Sequence, residues 1–251
     1  MRLQVQPLLD SDFPEMVPAL WTSFENPFSG IIRAAAPLLN NDRATSLAAS
    51  VEVQLAQHKR DQPESTWIKV VDEDAAGKLV GAARWMVYDR NPHNDGEADV
   101  ADWWPEGSLG REYATKLFAQ LDAPRAKMAR RPHLFLNIAF TLPEYRGHGV
   151  GRMLVEWGTQ KADSLGVECW LDASPHGQPV YEKQGFVYIM DQYLAPEMDE
   201  ENMSVEEKKE LKWLRETMEP IHVTCMWRPK RGRYVEGVTV KPWEQCLESR
   251  S

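Results

Sequence analysis

The 251-residue chain has few of the features that mark specialised protein classes. Its three cysteines, Cys169, Cys225 and Cys246, are odd in number, far apart and not paired with Cys or His at metal-ligand spacing. That usage argues against a disulfide framework or a zinc site and suits a reducing compartment. No stretch approaches 18 consecutive apolar residues, so no membrane-spanning helix is expected. The first seven residues, Met1 to Pro7, lack the apolar run of a secretion signal, and a cytoplasmic location is expected. Basic residues are outnumbered, with 29 Lys and Arg against 38 Asp and Glu and a net charge of −9. Neither nucleic acid nor an anionic membrane is therefore an expected partner. The one basic cluster, Arg228, Lys230, Arg231 and Arg233, reads as a solvated strand end or turn. Internal repeats and low-complexity linkers are absent. What remains, at 43% hydrophobic and 27% charged residues, is the make-up of a folded protein with a full core.

The hydrophobic periodicity gives strands and helices in alternation. A first strand fits 3–9, and Asp10-Ser11-Asp12 offers caps for a helix over 13–24 that stops near Asn26-Pro27. A second helix fits 41–58, where Leu47, Val51, Leu55 and His58 recur at helical spacing. Strands over 66–72 and 78–88 flank a turn-rich joint and form a hairpin. The pattern lapses over 89–110, then returns as a helix over 111–129, a strand over 133–141 and a helix over 151–165 closed by Gly166. A strand over 167–173, a short helix over 178–184 and a strand over 187–193 follow. A charged helix over 205–218 and a last strand over 221–227 complete the order. The expected architecture is one α/β domain with a mixed sheet, carrying decorations at 89–131 and 196–220.

Pro143-Glu144-Tyr145-Arg146-Gly147-His148-Gly149-Val150-Gly151 lies directly between a strand and a helix. Glycines there let backbone N–H groups turn outward toward an anion, and the helix adds its positive end. A P-loop is excluded because no lysine-hydroxyl pair closes the loop. A dinucleotide fingerprint is excluded by the lack of a second βα unit with a ribose-binding acid. Arg146-Gly147-His148-Gly149-Val150-Gly151 matches the R/Q-x-x-G-x-G/A signature and resembles motif A of the GNAT acetyltransferase superfamily. Downstream, Pro179-Val180-Tyr181-Glu182-Lys183-Gln184-Gly185-Phe186 is similar to that family's Y-x-x-x-G-F segment. The specific match covers 134–188, within an acetyl-CoA core expected over 133–193.

The resemblance implies a mostly antiparallel sheet flanked by helices, with a splayed parallel strand pair starting at His133 and Val167. Acetyl-CoA is implied as co-substrate and no metal is implied. Gly147, His148, Gly149, Val150, Gly151 and Arg152 would hold its pyrophosphate through backbone N–H groups, with Arg146 opening the loop. Ala139, Phe140 and Thr141 would pair with the pantetheine amides as an added strand does. Tyr181 would be the general acid for the departing thiolate.

The general base stays open. The strand positions that carry it in relatives hold Phe135 and Asn137, neither titratable. His133 shares their face, but four residues of strand separate it from Asn137 by roughly 13 Å. It reads as a strand-end or supporting residue. Asn137 could orient a water or the acceptor, and a water-relayed base or an acid from 89–110 is the alternative. Ser174, in Asp172-Ala173-Ser174-Pro175-His176, reads either as a turn cap or as a contact to acceptor or thioester. Trp103 and Trp104, in a polar loop, are candidates for a lid or wall of an acceptor pocket. The acids Glu97, Asp99, Asp102 and Glu106 with His93 fit no common metal site. The expected activity is acetyl transfer to the amine of a small molecule by a monomer or homodimer. A protein or peptide N-acetyltransferase and a non-catalytic acyl-CoA-binding module are the other readings.

Overall fold

The computed structural model describes residues 1–93 and 99–244. Its centre is a seven-stranded sheet made of β1 (Leu3–Pro7), β2 (Ser65–Asp72), β3 (Lys78–Tyr88), β4 (His133–Thr141), β5 (Glu168–Ala173), β6 (Val187–Leu194) and β7 (Ile221–Arg228). The spatial order is β1-β2-β3-β4-β5-β7-β6. Every neighbouring pair is antiparallel except β4–β5, so the mixed, mostly antiparallel sheet is as expected. β7 runs between β5 and β6, against chain order. Its residues are largely buried, whereas β6 alternates and exposes Tyr188, Met190 and Tyr193. A strand buried on both faces belongs inside a sheet, and an alternating one tolerates the edge.

The helices are α1 (Phe13–Glu25), α2 (Ile31–Ala35), α3 (Arg43–Arg60), α4 (Leu109–Met128), α5 (Val150–Leu165), α6 (Gln178–Glu182) and α7 (Val205–Met218). α3 starts two residues later than its periodicity predicts because Asn40 and Asn41 have φ of 53° and 56°. Asp42 then caps it, accepting from the N–H groups of Ala44 and Thr45. α4 starts two residues early because Ser108 supplies the cap, accepting from Arg111 N–H. Val167 donates to Ala162 O at 3.0 Å as part of the closure of α5, so β5 begins one residue later than expected. α2, only five residues long, has no period to read and is absent from the sequence expectation.

α5 lies against the sheet where an added Cβ on Gly158 would come within 2.0 Å of the Trp85 ring. Only glycine leaves room for that indole, whose Nε1 donates to Leu154 O at 3.3 Å. The contact fixes the axis of α5, and with it the direction of its N-terminus.

The two decorations pack on each other. Ala101 and Trp104 from the loop, Tyr113, Ala114 and Leu117 from α4, and Leu211, Leu214 and Met218 from α7 form one buried cluster with Ala34 of α2. This corrects the expectation for the paired tryptophans. Trp104 is 7% exposed and Trp103 packs edge-on to Phe118. Both indole N–H groups donate to the Ala34 carbonyl, at 2.8 and 2.9 Å. The polar neighbours in sequence suggested exposure, but α2 and α7 cover these rings. Nor is the basic cluster wholly solvated. Arg228 is buried and bound to Asp163, at 2.7 and 3.0 Å, and to Gln184 O.

Trp104→Ala should therefore destabilise the fold by about 3–5 kcal/mol, the range for emptying a buried aromatic site. Urea denaturation measures it, and a loss under about 1 kcal/mol would return this ring to the role of a surface lid.

Candidate active site

β4 and β5 pair in parallel only from His133–Glu168 to Leu136–Leu171. Beyond that point β5 continues with β7 alone, and 138–141 of β4 pair only with β3. The divergence coincides with a bulge. Trp85 pairs with Leu136 and Arg84 with Ile138, leaving Asn137 without a partner on β3. An extra residue of this kind bends its strand and re-aims nearby side chains. Ala139, Phe140 and Thr141 thus lie where β4 has lost its parallel neighbour. The Phe140 side chain is buried in the core, so only its backbone is available there.

The glycine loop sits at the end of that stretch. Gly147 and Gly149 have φ of 79° and 89°, and a Cβ at either would meet nothing within 4 Å. The loop surface is therefore open. Gly149 is the N-cap of α5 and no side chain caps the helix. Among the described residues, no protein acceptor takes the backbone N–H of Gly147, Gly149, Val150, Gly151 or Arg152, the first helical bond being Met153 N–H to Gly149 O at 3.0 Å. Five free donors and a helix N-terminus suit a phosphate group.

The loop is anchored from outside. Arg146 donates to the carbonyls of Asn26 and Ser23 at the end of α1. Its guanidinium is thus engaged in holding the loop, and its backbone N–H donates to Pro143 O at 3.3 Å. The Tyr145 hydroxyl donates to Asp72, and Lys78 bridges Glu144 at 2.9 Å. His148 and Arg152 are exposed.

Ser174 ends up as a turn cap. Its Oγ accepts from Gly177 N–H at 3.2 Å, and its carbonyl accepts from the N–H groups of Gly177 and Gln178. Tyr181 follows on α6, half-buried and edge-on to Phe186 at 6.0 Å. Burial pushes its phenol up to about 12. It therefore keeps its proton at physiological pH. Among the described residues its hydroxyl has no hydrogen-bond partner, so the proton is available to a ligand.

A cavity of about 90 Å³ opens beside Asn137. Its walls include Tyr88 of β3, His133 and Asn137 of β4, Asp122 and Arg125 of α4, and His93 of the loop between β3 and α4. Arg125, 3% exposed, forms ion pairs with Asp122 and with Asp172 at the end of β5. Its guanidinium carbon stands 4.0 Å from the centre of the Phe135 ring. Asp172 also accepts from Gln192 Nε2 at 3.2 Å. This buried group ties α4 to the sheet where β5 leaves β4. His133 shares the cavity with Asn137, despite the strand length between them. Its Nδ1 lies 2.8 Å from Arg131 O, which makes Nδ1 the protonated nitrogen and leaves the Nε2 lone pair free. Burial lowers its pKa to about 4.

The sequence carried no sign of Asp122 and Arg125, which look like an ordinary helical ion pair at i, i+3. Of the acids grouped with His93 in the sequence, Glu97 lies outside the described residues. Among the described residues no helix is long and apolar enough to cross a membrane.

The Acetyltransferase (GNAT) family model matches residues 32–186, more than half of the chain, and the chain belongs to the GNAT acetyltransferase family. No curated protein matches it in sequence. Among solved structures it resembles a Drosophila melanogaster polyamine N-acetyltransferase that forms N-acetylagmatine, at 14% identity and a TM-score of 0.57, over 90% of this chain and 98% of that one. It also resembles a mosquito arylalkylamine N-acetyltransferase-like protein, at 15% identity and 0.55, over 91% and 100%. A third similar structure is described as histone acetyltransferase HPA2 and related acetyltransferase from Corynebacterium glutamicum, at 21% and 0.55, over 95% and 100%. At these identities the likeness is one of fold.

His133 gives the site a pH signature. The unfolded chain takes up this proton near pH 6.5, the folded protein only near 4. Its contribution to stability is therefore complete above about pH 6.5 and is lost as the pH falls from there through about 4. Between pH 7.5 and 5 the parent should lose about 2 kcal/mol more than His133→Gln. Equal losses in denaturant melts of the two proteins would show that His133 titrates normally.

Proposed function

We propose that the protein binds acetyl-CoA at the Arg146–Arg152 loop and transfers the acetyl group to the amine of a small molecule. The observation that carries this reading is the set of five unpartnered amides at an uncapped helix N-terminus, beside the stretch where β4 stands without β5. Acetyl-CoA supplies an acetyl group activated as a thioester. The chain's own residues do the rest. The backbone of Gly147, Gly149, Val150, Gly151 and Arg152 holds the phosphates, and the open side of Ala139, Phe140 and Thr141 receives the pantetheine amides as a strand would. Tyr181 holds a proton for the departing thiolate. Asn137, set out from β4 by the bulge, orients the acceptor.

Two observations favour a small acceptor over a peptide. The cavity beside Asn137 is small, and the loop and α4 of the decoration wall it on one side. Of its two carboxylates Asp122 is paired with Arg125, and Asp99 suits a cationic amine. A silent acyl-CoA-binding module is the reading that the non-titratable Asn137 would allow. The available proton on Tyr181 speaks against it.

Thiol release from acetyl-CoA with a panel of small primary amines tests the activity, and binding without release would favour the silent module. Within that assay Gly149→Val and Tyr181→Phe should separate. A β-branched residue at a φ near 89° strains the loop and crowds the anion, so Gly149→Val should weaken acetyl-CoA binding at least tenfold by calorimetry. Tyr181→Phe keeps the ring against Phe186, so affinity should hold while kcat drops about 10²- to 10⁴-fold. Unchanged affinity in the first variant would move the cofactor elsewhere, and unchanged kcat in the second would make Tyr181 a packing residue.

A further inference from the structure

β4 offers no base at the divergence, since Asn137 and Phe135 do not titrate. The cavity beside them nevertheless holds two imidazoles, His93 and His133. They differ in how they are held. His133 is 2% exposed, and its Nδ1 proton is committed to Arg131 O. A group held at about 4 is too weak a base to take a proton from an ammonium. His93 is half-buried at the rim, between cavity and solvent.

The place of His93 is built, although it sits in a long loop. Asn91, 3% exposed, donates from Nδ2 to Ala126 O at 2.8 Å and to Arg125 O at 3.4 Å, at the last turn of α4. Its Oδ1 accepts the backbone N–H of His93 at 3.0 Å. One buried amide therefore ties the loop to α4 and sets the position of the residue two places on. The groups facing His93 come from every wall: Asp99 on its own loop, Asp122 and Arg125 on α4, and His133 on β4, with the neutral Tyr88 of β3 lining the same cavity.

We propose that His93 is the proton acceptor for the amine and Asn91 the residue that positions it, an inference that rests on the acetyltransferase reading above. The step balances as follows. One N–H proton of the acceptor ammonium passes to the unprotonated imidazole nitrogen of His93. The freed lone pair forms the C–N bond to the acetyl carbonyl carbon, the C–S bond breaks, and the thiolate takes the Tyr181 proton while the nitrogen gives its second surplus proton to water. His93 then releases its proton to solvent at the rim, and Tyr181 regains one from water. Burial lowers the His93 pKa below the usual histidine value despite the two nearby carboxylates, so the imidazole is neutral and basic at pH 7. The ascending limb of the pH–rate profile should accordingly lie below about pH 6.5.

The test is kcat against pH from 5 to 9, with saturating acetyl-CoA and a primary amine that the parent turns over. Five proteins are compared: the parent, His93→Gln, His93→Gly, His133→Gln and Asn91→Ala. His93→Gln should lose about 100-fold in kcat at pH 7 and lose the low-pH limb, with its acetyl-CoA KM unchanged. Added imidazole should restore part of the rate to His93→Gly. Asn91→Ala should lower kcat but keep the limb, as displacement of an intact base requires. His133→Gln should keep the limb too. A limb that survives in His93→Gln, or vanishes in His133→Gln, overturns the assignment while leaving the acetyltransferase reading intact. A parent that binds acetyl-CoA but releases no CoA with any amine overturns both.

Discussion

The hydrogen bonds between β4 and β5 stop after Leu136 and Leu171, and the rest of the site depends on that break. Two parallel strands that stayed paired would satisfy each other's backbone and leave nothing for a ligand to join. Here β5 is held to β7 through Ala173 while β4 is held to β3 through Thr141, with Asn137 as the extra residue that lets β4 bend. The Arg125–Asp172 ion pair stands at the same place and binds α4 of the decoration to the end of β5. Breaking such a buried pair by removing one partner would strand the other charge, so its members hold each other in position whatever their net worth.

The cavity beside Asn137 is built on that brace. α4 brings Asp122 and Arg125, its last turn receives the Asn91 amide, and the loop thereby delivers His93 to a cavity whose floor is β4. The loop's other half is anchored independently, where Trp103 and Trp104 share the carbonyl of Ala34. The decorations thus form a second packed layer with its own buried cluster, and residues of the first, Asp99, Asp122 and Arg125, wall the cavity beside Asn137. In a family whose shared fold serves many acceptors, such added layers are the natural place for specificity to reside.

The glycine loop and its helix were legible in the sequence because their geometry is local. Six consecutive residues from Arg146 to Gly151 specify the turn and the positive φ of Gly147 and Gly149, and they begin the helix, with no need of distant partners. Most strands and helices were legible for the same reason, and their shifted ends trace to caps such as Asp42 and Ser108. The cavity beside Asn137 was not. Its walls come from β3, a loop, α4 and β4, and no spacing in the chain brings Asp122 to His133. Trp103 and Trp104 were misread because their polar sequence neighbours say nothing of α2 and α7, which cover them. The Arg146 side chain was likewise unreadable, since the carbonyls it grips lie 120 and 123 residues away.

The central claim is that free loop amides, not side chains, hold the phosphates of acetyl-CoA at the mouth of the β4–β5 divergence. Titrating the ¹⁵N-labelled protein with acetyl-CoA and following individual backbone amides tests it directly. The account predicts that Gly147, Gly149 and Gly151 shift most and saturate together, while Gly77 and Gly237, in turns elsewhere on the molecule, stay still. Saturable binding that leaves the three loop amides unmoved would contradict it.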